Sequence, residues 1–127
     1  MIPVRTGALR RRDDHGAATA ELAMSLPLLL AVTVGLVWLL AVGAAQIRVV
    51  DAARESARAA ARGEGQAEAV ARGLQVAPPG STITVRADGD RVTASAVARM
   101  SGPGAVLDLF PAVTLRADAV AALEPSP

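Results

Sequence analysis

Residues 22–45 read LAMSLPLLLAVTVGLVWLLAVGAA, 24 consecutive positions without a charged side chain, eight Leu and four Val among them. As an α-helix rising ~1.5 Å per residue, the run spans roughly 36 Å, more than the ~30 Å hydrocarbon core of a bilayer. Centrally placed Leu and Val each favour insertion by about 0.3 to 0.6 kcal/mol, enough in sum to offset Ser25, Thr33, Gly35 and Gly43. The segment from Leu22 to Ala45, with Pro27 and Trp38 inside it, therefore reads as a membrane-spanning helix. A proline is tolerated there where neighbouring groups satisfy the freed backbone, and Trp38 is either lipid-facing or packed.

The flanks give direction and organisation. Residues 1–16 are polar and basic, with Arg5, Arg10, Arg11 and Arg12 against Asp13 and Asp14; without apolar periodicity they are expected to be disordered. That excess of arginine before the span, against mixed charges after it, places the N-terminus on the cytoplasmic side. From Gln46 to Arg62 there is no Gly or Pro, and Asp51, Arg54, Glu55 and Arg58 recur at helical spacing, so the helix is expected to continue outward as a stalk. The Arg54, Arg58 and Arg62 stripe reads as a solvated face. Gly63-Glu64-Gly65 ends the helix. Ala67, Val70, Ala71 and Leu74 then suggest a short amphipathic helix, stopped by Pro78-Pro79-Gly80.

Beyond the prolines the period becomes two. Ile83, Val85 and Ala87 alternate with Thr82, Thr84 and Arg86; Asp88-Gly89-Asp90 turns the chain; Val92, Ala94, Ala96 and Ala98 form the answering apolar face. After a Gly/Pro loop passing Val106 and Phe110, Val113, Leu115, Ala117 and Ala119 alternate with Thr114, Arg116 and Asp118. The fold class is α+β: a long N-terminal helix, a short helix and a small three-stranded antiparallel sheet. The expected divisions are a leader over residues 1–16, a transmembrane helix and stalk over 17–62, and an extracytoplasmic domain over 63–127.

Composition narrows the chemistry. The chain has 127 residues, 13 basic side chains, 12 acidic ones, a single His and no Cys. That leaves no thiolate site, no His pair and no triad, so neither a metal, a cofactor nor catalysis is expected. Asp88 and Asp90 lack the further acidic ligands of a calcium loop and read as turn residues. A net charge of +1 with one Phe, one Trp and no Tyr argues against nucleic acid as a partner. Alanine supplies 29 of the hydrophobic positions, so the domain after Arg62 has little side-chain volume to bury and should be marginally stable alone.

The window carrying most information is Arg10-Arg11-Arg12-Asp13-Asp14-His15-Gly16-Ala17-Ala18-Thr19-Ala20-Glu21-Leu22. An ionised acid at the edge of an apolar helix is costly unless it lies among headgroups or has a partner. This leader resembles that of type IV pilin-like proteins, and the wider pattern is similar to the TadE family of the tight-adherence (Flp) pilus system. Glu21-Leu22-Ala23 follows Gly16, Pro27 precedes a Leu run, and Asp51-Ala52-Ala53-Arg54-Glu55-Ser56-Ala57-Arg58 follows the span. The resemblance implies a minor pilin or pseudopilin cut after Gly16 by a prepilin peptidase, with Ala17 as the new N-terminus. It implies that Glu21 pairs with a subunit's N-terminal amine during assembly. The implied partners are that peptidase, other Tad pilins and the inner-membrane assembly platform. Two other readings stay open: a Sec-type signal cut near Ala44, although the run exceeds the usual 7 to 15 apolar residues, and an uncut single-pass anchor carrying a binding domain.

Overall fold

The computed structural model describes residues 7–102 and 110–126, with side chains from Asp13 onward. Leader residues 1–6, and the loop residues around Val106, lie outside that range. The elements are α1 (Gly7–Ala61), α2 (Gln66–Val76), β1 (Thr82–Asp88), β2 (Arg91–Met100) and β3 (Val113–Ala122). This is the α+β arrangement expected from the sequence. Two compact units share α1: Met1–Val37, and Trp38–Pro127.

In the first unit, the helix starts nine residues before Gly16, where disorder was expected. Ala8, Leu9 and the three arginines are good helix formers, and nucleation is already supplied by the apolar run behind them. Extending the helix backwards needs only propagation, one hydrogen bond for each residue fixed.

In the second unit, α1 ends as its sequence requires. Gly63, at φ 85°, follows the last turn, donating its N–H to the Ala60 carbonyl at 3.0 Å, while Glu64 N–H reaches the Ala59 carbonyl at 3.2 Å. That is a Schellman closure, and the left-handed conformation at its turning point favours Gly. Glu64 then receives hydrogen bonds from Arg62 and Arg72, both at 3.0 Å, tying the end of α1 to α2. The Arg62 hydrogen bond chiefly, with the charges of Arg72 and Arg62, holds the Glu64 carboxyl below its ordinary value of 4.5.

The sheet has the order β1-β2-β3, antiparallel throughout. Asp88 pairs with Arg91 across a two-residue turn whose first member, Gly89, has φ 60°, while among the described residues no non-Gly residue, Asp90 included, has positive φ; this matches a type II′ hairpin. Ile83 faces Ala96, and Val85 faces Ala94; Ala94 faces Ala119, and Ala98 faces Leu115. These residues form one apolar face packed on Ala45, Val49, Ala52, Ala53 and Ala57 of α1. The part of α1 read as a stalk is thus the floor under the sheet. Ala87, expected on that face, is exposed.

Helix α2 forms as expected but presents a different face. Its buried residues are Ala69 and Gly73, with Val70 half-buried, whereas Ala67, Ala71 and Leu74 are exposed. The reason is distance. A Cβ added at Gly73 would lie 2.0 Å from Ser56 Oγ, 2.6 Å from Ile83 Cδ1 and 2.9 Å from the Ala52 carbonyl oxygen. Small residues four apart on each helix, Ala52, Ser56 and Ala60 against Ala69, Gly73 and Ala77, allow backbones to approach where larger side chains would hold them apart. Ser56 is fully buried in this crossing and its hydroxyl has no hydrogen-bond partner. At the other end of α2, Arg48 donates Nε to the Val76 carbonyl at 3.1 Å and Nη2 to that of Ala77 at 3.0 Å. A cation therefore meets the negative end of the helix dipole.

Two glutamines reach the outer strands. Gln46 Nε2 donates to the Arg116 carbonyl at 3.2 Å on β3, and Gln66 Nε2 to the Val85 carbonyl at 2.8 Å on β1. A further backbone bond joins Glu124 N–H to the Ala61 carbonyl at 3.0 Å. Between these two anchor points the helix advances 15 residues, roughly 23 Å, and the strand eight, roughly 26 Å. β3 therefore runs alongside α1 in the same direction.

Candidate processing and membrane-anchoring site

Every sequence-assigned functional residue lies on α1. Gly16, Ala17, Glu21 and Leu22 are exposed, and nothing approaches within 4 Å of a Cβ built at Gly16. Ala17 and Glu21 are four residues apart and so share one helix face. Gly16 weakens the helix by about 1 kcal/mol relative to Ala, which lowers the cost of opening the backbone there. A protease must draw an extended segment into its site, so an exposed junction whose helix is weakened by a Gly opens more readily for cutting.

The apolar run behaves as a surface made for a non-aqueous medium. Met24 is 82% exposed and Leu40 74%, and Leu22, Leu26, Leu28, Leu29, Leu30 and Leu36 are exposed as well. A patch of that size is untenable in water and well suited to acyl chains. The hydroxyls in and beside it turn back on the helix: Thr19 donates to the His15 carbonyl at 2.8 Å, Ser25 to Leu22 at 3.0 Å and Thr33 to Leu29 at 2.8 Å. Internal satisfaction of this kind is required where no water is available. Pro27 lies within the helix and supplies no N–H to the carbonyl of Ala23.

The end of the run differs from its beginning. Trp38 is 8% exposed and Ala45 is buried, while Val42 packs against the sheet's core cluster. At i, i+4 and i+7 these three share a face, so the last turns of the run are covered by protein on one side. Of the two environments open to Trp38 in the sequence, the structure gives packing. Sequence reasoning missed Gln46 and Arg48 as ties between α1 and the domain, and Gly73 as its closest crossing. The Ala69, Gly73, Ala77 spacing was the available signal for the last.

Arg58 pairs with Glu55 at 3.2 Å, and Arg54, Arg58 and Arg62 are exposed, as expected of a solvated stripe. Among the described residues no three His, Asp or Glu side chains gather in a metal-binding cluster.

No curated protein and no solved structure matches the chain. A family model does, that of TadE-like protein, over residues 16–58. The matched stretch takes in Gly16, Glu21, the whole apolar run and α1 as far as Arg58. The segment from Gly16 to Arg58, with a helix long and apolar enough to cross a membrane at its centre, is therefore similar to TadE-like protein.

Proposed function

We propose that the chain is a non-enzymatic minor pilin or pseudopilin of a Tad pilus. A prepilin peptidase cuts it after Gly16 at the cytoplasmic face, leaving Ala17 as the N-terminus of an α1 that stays in the inner membrane across residues 22–45. The domain packed on the far half of α1 lies outside the membrane and makes specific contacts with other pilins or the assembly platform. Glu21, one turn from the new amine, pairs with the N-terminus of a neighbouring subunit.

The observation that carries this reading is the TadE-like match over residues 16–58, a range that includes Gly16, Glu21 and the apolar run. Chemistry supports it. An exposed carboxylate at the margin of a lipid-facing helix is expensive to bury, and a cationic amine offsets part of that cost while fixing register. Removing residues 1–16 takes away four Arg and two Asp, so the basic cluster acts before processing and is absent afterwards.

The test is intact mass and N-terminal sequencing of the membrane-extracted chain, expressed with a cognate prepilin peptidase. A start at Ala17 is expected, and Gly16→Leu should abolish it. A start near Gln46 would establish Sec-type processing instead, and a start at Met1 or Ile2 an uncut anchor.

A further inference from the structure

The end of the second unit beside the last turns of the apolar run carries arginines, whereas its described acids lie further along α1 and the sheet. Gln46 marks the level of Arg116. Thr114 lies two strand residues lower, roughly 6 Å along the helix axis, or about four helical residues. That is the level of Val42, which packs with Met100 and Val113 on the same core. Arg99 pairs directly with Thr114, so it stands beside the last turns of the apolar run. Arg48, one turn above Ala45, is at this end too, but its guanidinium is held by the Val76 and Ala77 carbonyls. Neither Arg99 nor Arg116 forms an ion pair among the described residues.

The described acids of this unit lie elsewhere. Asp118 is two residues above Arg116 on β3, and Asp88 and Asp90 are at the opposite end of the hairpin. Asp51, Glu55 and Glu64 follow Arg48 up the chain, Glu68 begins α2 and Glu124 sits beside Ala61. A charged Arg99 level with Val42 is incompatible with hydrocarbon at that height. The 20 residues from Leu22 to Ala41 already span roughly 30 Å, a full hydrocarbon core. The last turn of the run, with the sheet end beside it, then falls in the headgroup layer.

We propose that this end of the sheet, through Arg99 and Arg116, is a docking surface for the anionic phosphate headgroups of the bilayer that α1 crosses. This rests on the membrane-spanning reading. The guanidinium groups reach headgroup oxygens while the apolar face of the sheet stays on α1. Contact at this surface fixes the height of the domain above the membrane.

The chain has no cysteine, so a single one can carry a fluorophore in the full-length protein reconstituted in nanodiscs. Labels at Thr114 and at Asp88 are compared, with quenchers on the headgroups of phosphatidylglycerol or phosphatidylcholine. Quenching is expected at Thr114 and not at Asp88. The phosphatidylglycerol preference should fall roughly fivefold for each of Arg99→Gln and Arg116→Gln, since a basic side chain near an anionic surface contributes about that factor. Equal quenching at the two positions, or at Thr114 by the two lipids, would overturn the proposal while leaving the span intact. Extraction of the chain from membranes by alkaline carbonate would overturn the span, and the proposal with it.

Discussion

Replacing Gly73 by Ala sets two effects of known size against each other. In an exposed helix the change is favourable by about 1 kcal/mol, because Gly carries the larger backbone entropy cost. In this crossing the new methyl would begin 2.0 Å from Ser56 Oγ, 2.6 Å from Ile83 Cδ1 and 2.9 Å from the Ala52 carbonyl oxygen. A side chain can rotate away, but the Ala52 carbonyl belongs to α1 itself, so α2 must move outward. Overpacking of this kind costs typically 1 to 3 kcal/mol, and a contact involving backbone belongs at the upper end. The expected net is a loss of about 1 to 2 kcal/mol, or roughly 5 to 15 °C in Tm for a unit of this size. Emission from Trp38, the sole tryptophan and a buried one, follows the transition in detergent. Ser56→Ala removes the nearest clashing atom and an unpartnered buried hydroxyl, so it should stabilise alone and soften the Gly73→Ala loss by at least about 0.5 kcal/mol. Stabilisation by Gly73→Ala would refute the close crossing, because propensity alone would then be acting.

Arg48→Lys keeps the charge but cannot serve both the Val76 and Ala77 carbonyls with a planar fork; a loss of about 1 kcal/mol is expected, seen as faster proteolysis around Pro78 to Ser81. The lowered carboxyl of Glu64 means that its ion pairs contribute stability above the ordinary value of 4.5, and that this contribution disappears as pH falls through the lowered folded value. A pH series of unfolding midpoints on Glu64→Gln should lack that acid-limb decline, and an unchanged profile would remove the assignment. Glu21→Ala should permit cutting after Gly16 yet reduce recovery of the chain in pilus-associated fractions; undiminished recovery would discard amine pairing.

Breakers and alternation made most of the fold legible before the structure. Gly63-Glu64-Gly65 stops α1, Pro78 to Gly80 separate α2 from β1, and Ile83 to Ala98 alternate as paired strands do. The face of α2 was misjudged because hydrophobic periodicity weighs large side chains. Here the deciding property is smallness, at Ala69 and Gly73. The packing of Val42 and Ala45 against the domain was hidden for another reason, since an apolar side chain serves equally well against lipid and against a protein core. The early start of α1 reflects cooperative propagation from the run, a non-local effect that no window confined to residues 1–16 contains. At the candidate site, the Gly16 to Glu21 spacing was readable directly. The structure adds that this junction is exposed and helical, so cutting there requires local opening of α1.

The glutamine amides on β1 and β3 bear on how such domains crowd together. An outer strand ordinarily offers its carbonyls to any passing chain, and a lattice of like molecules grows readily by that route. Gln46 and Gln66 each occupy one such acceptor from within the same molecule, so an invading strand must evict an amide before it can zip along the border. Dense packing of such domains can then proceed by other surfaces without the sheets fusing into an unbroken ribbon.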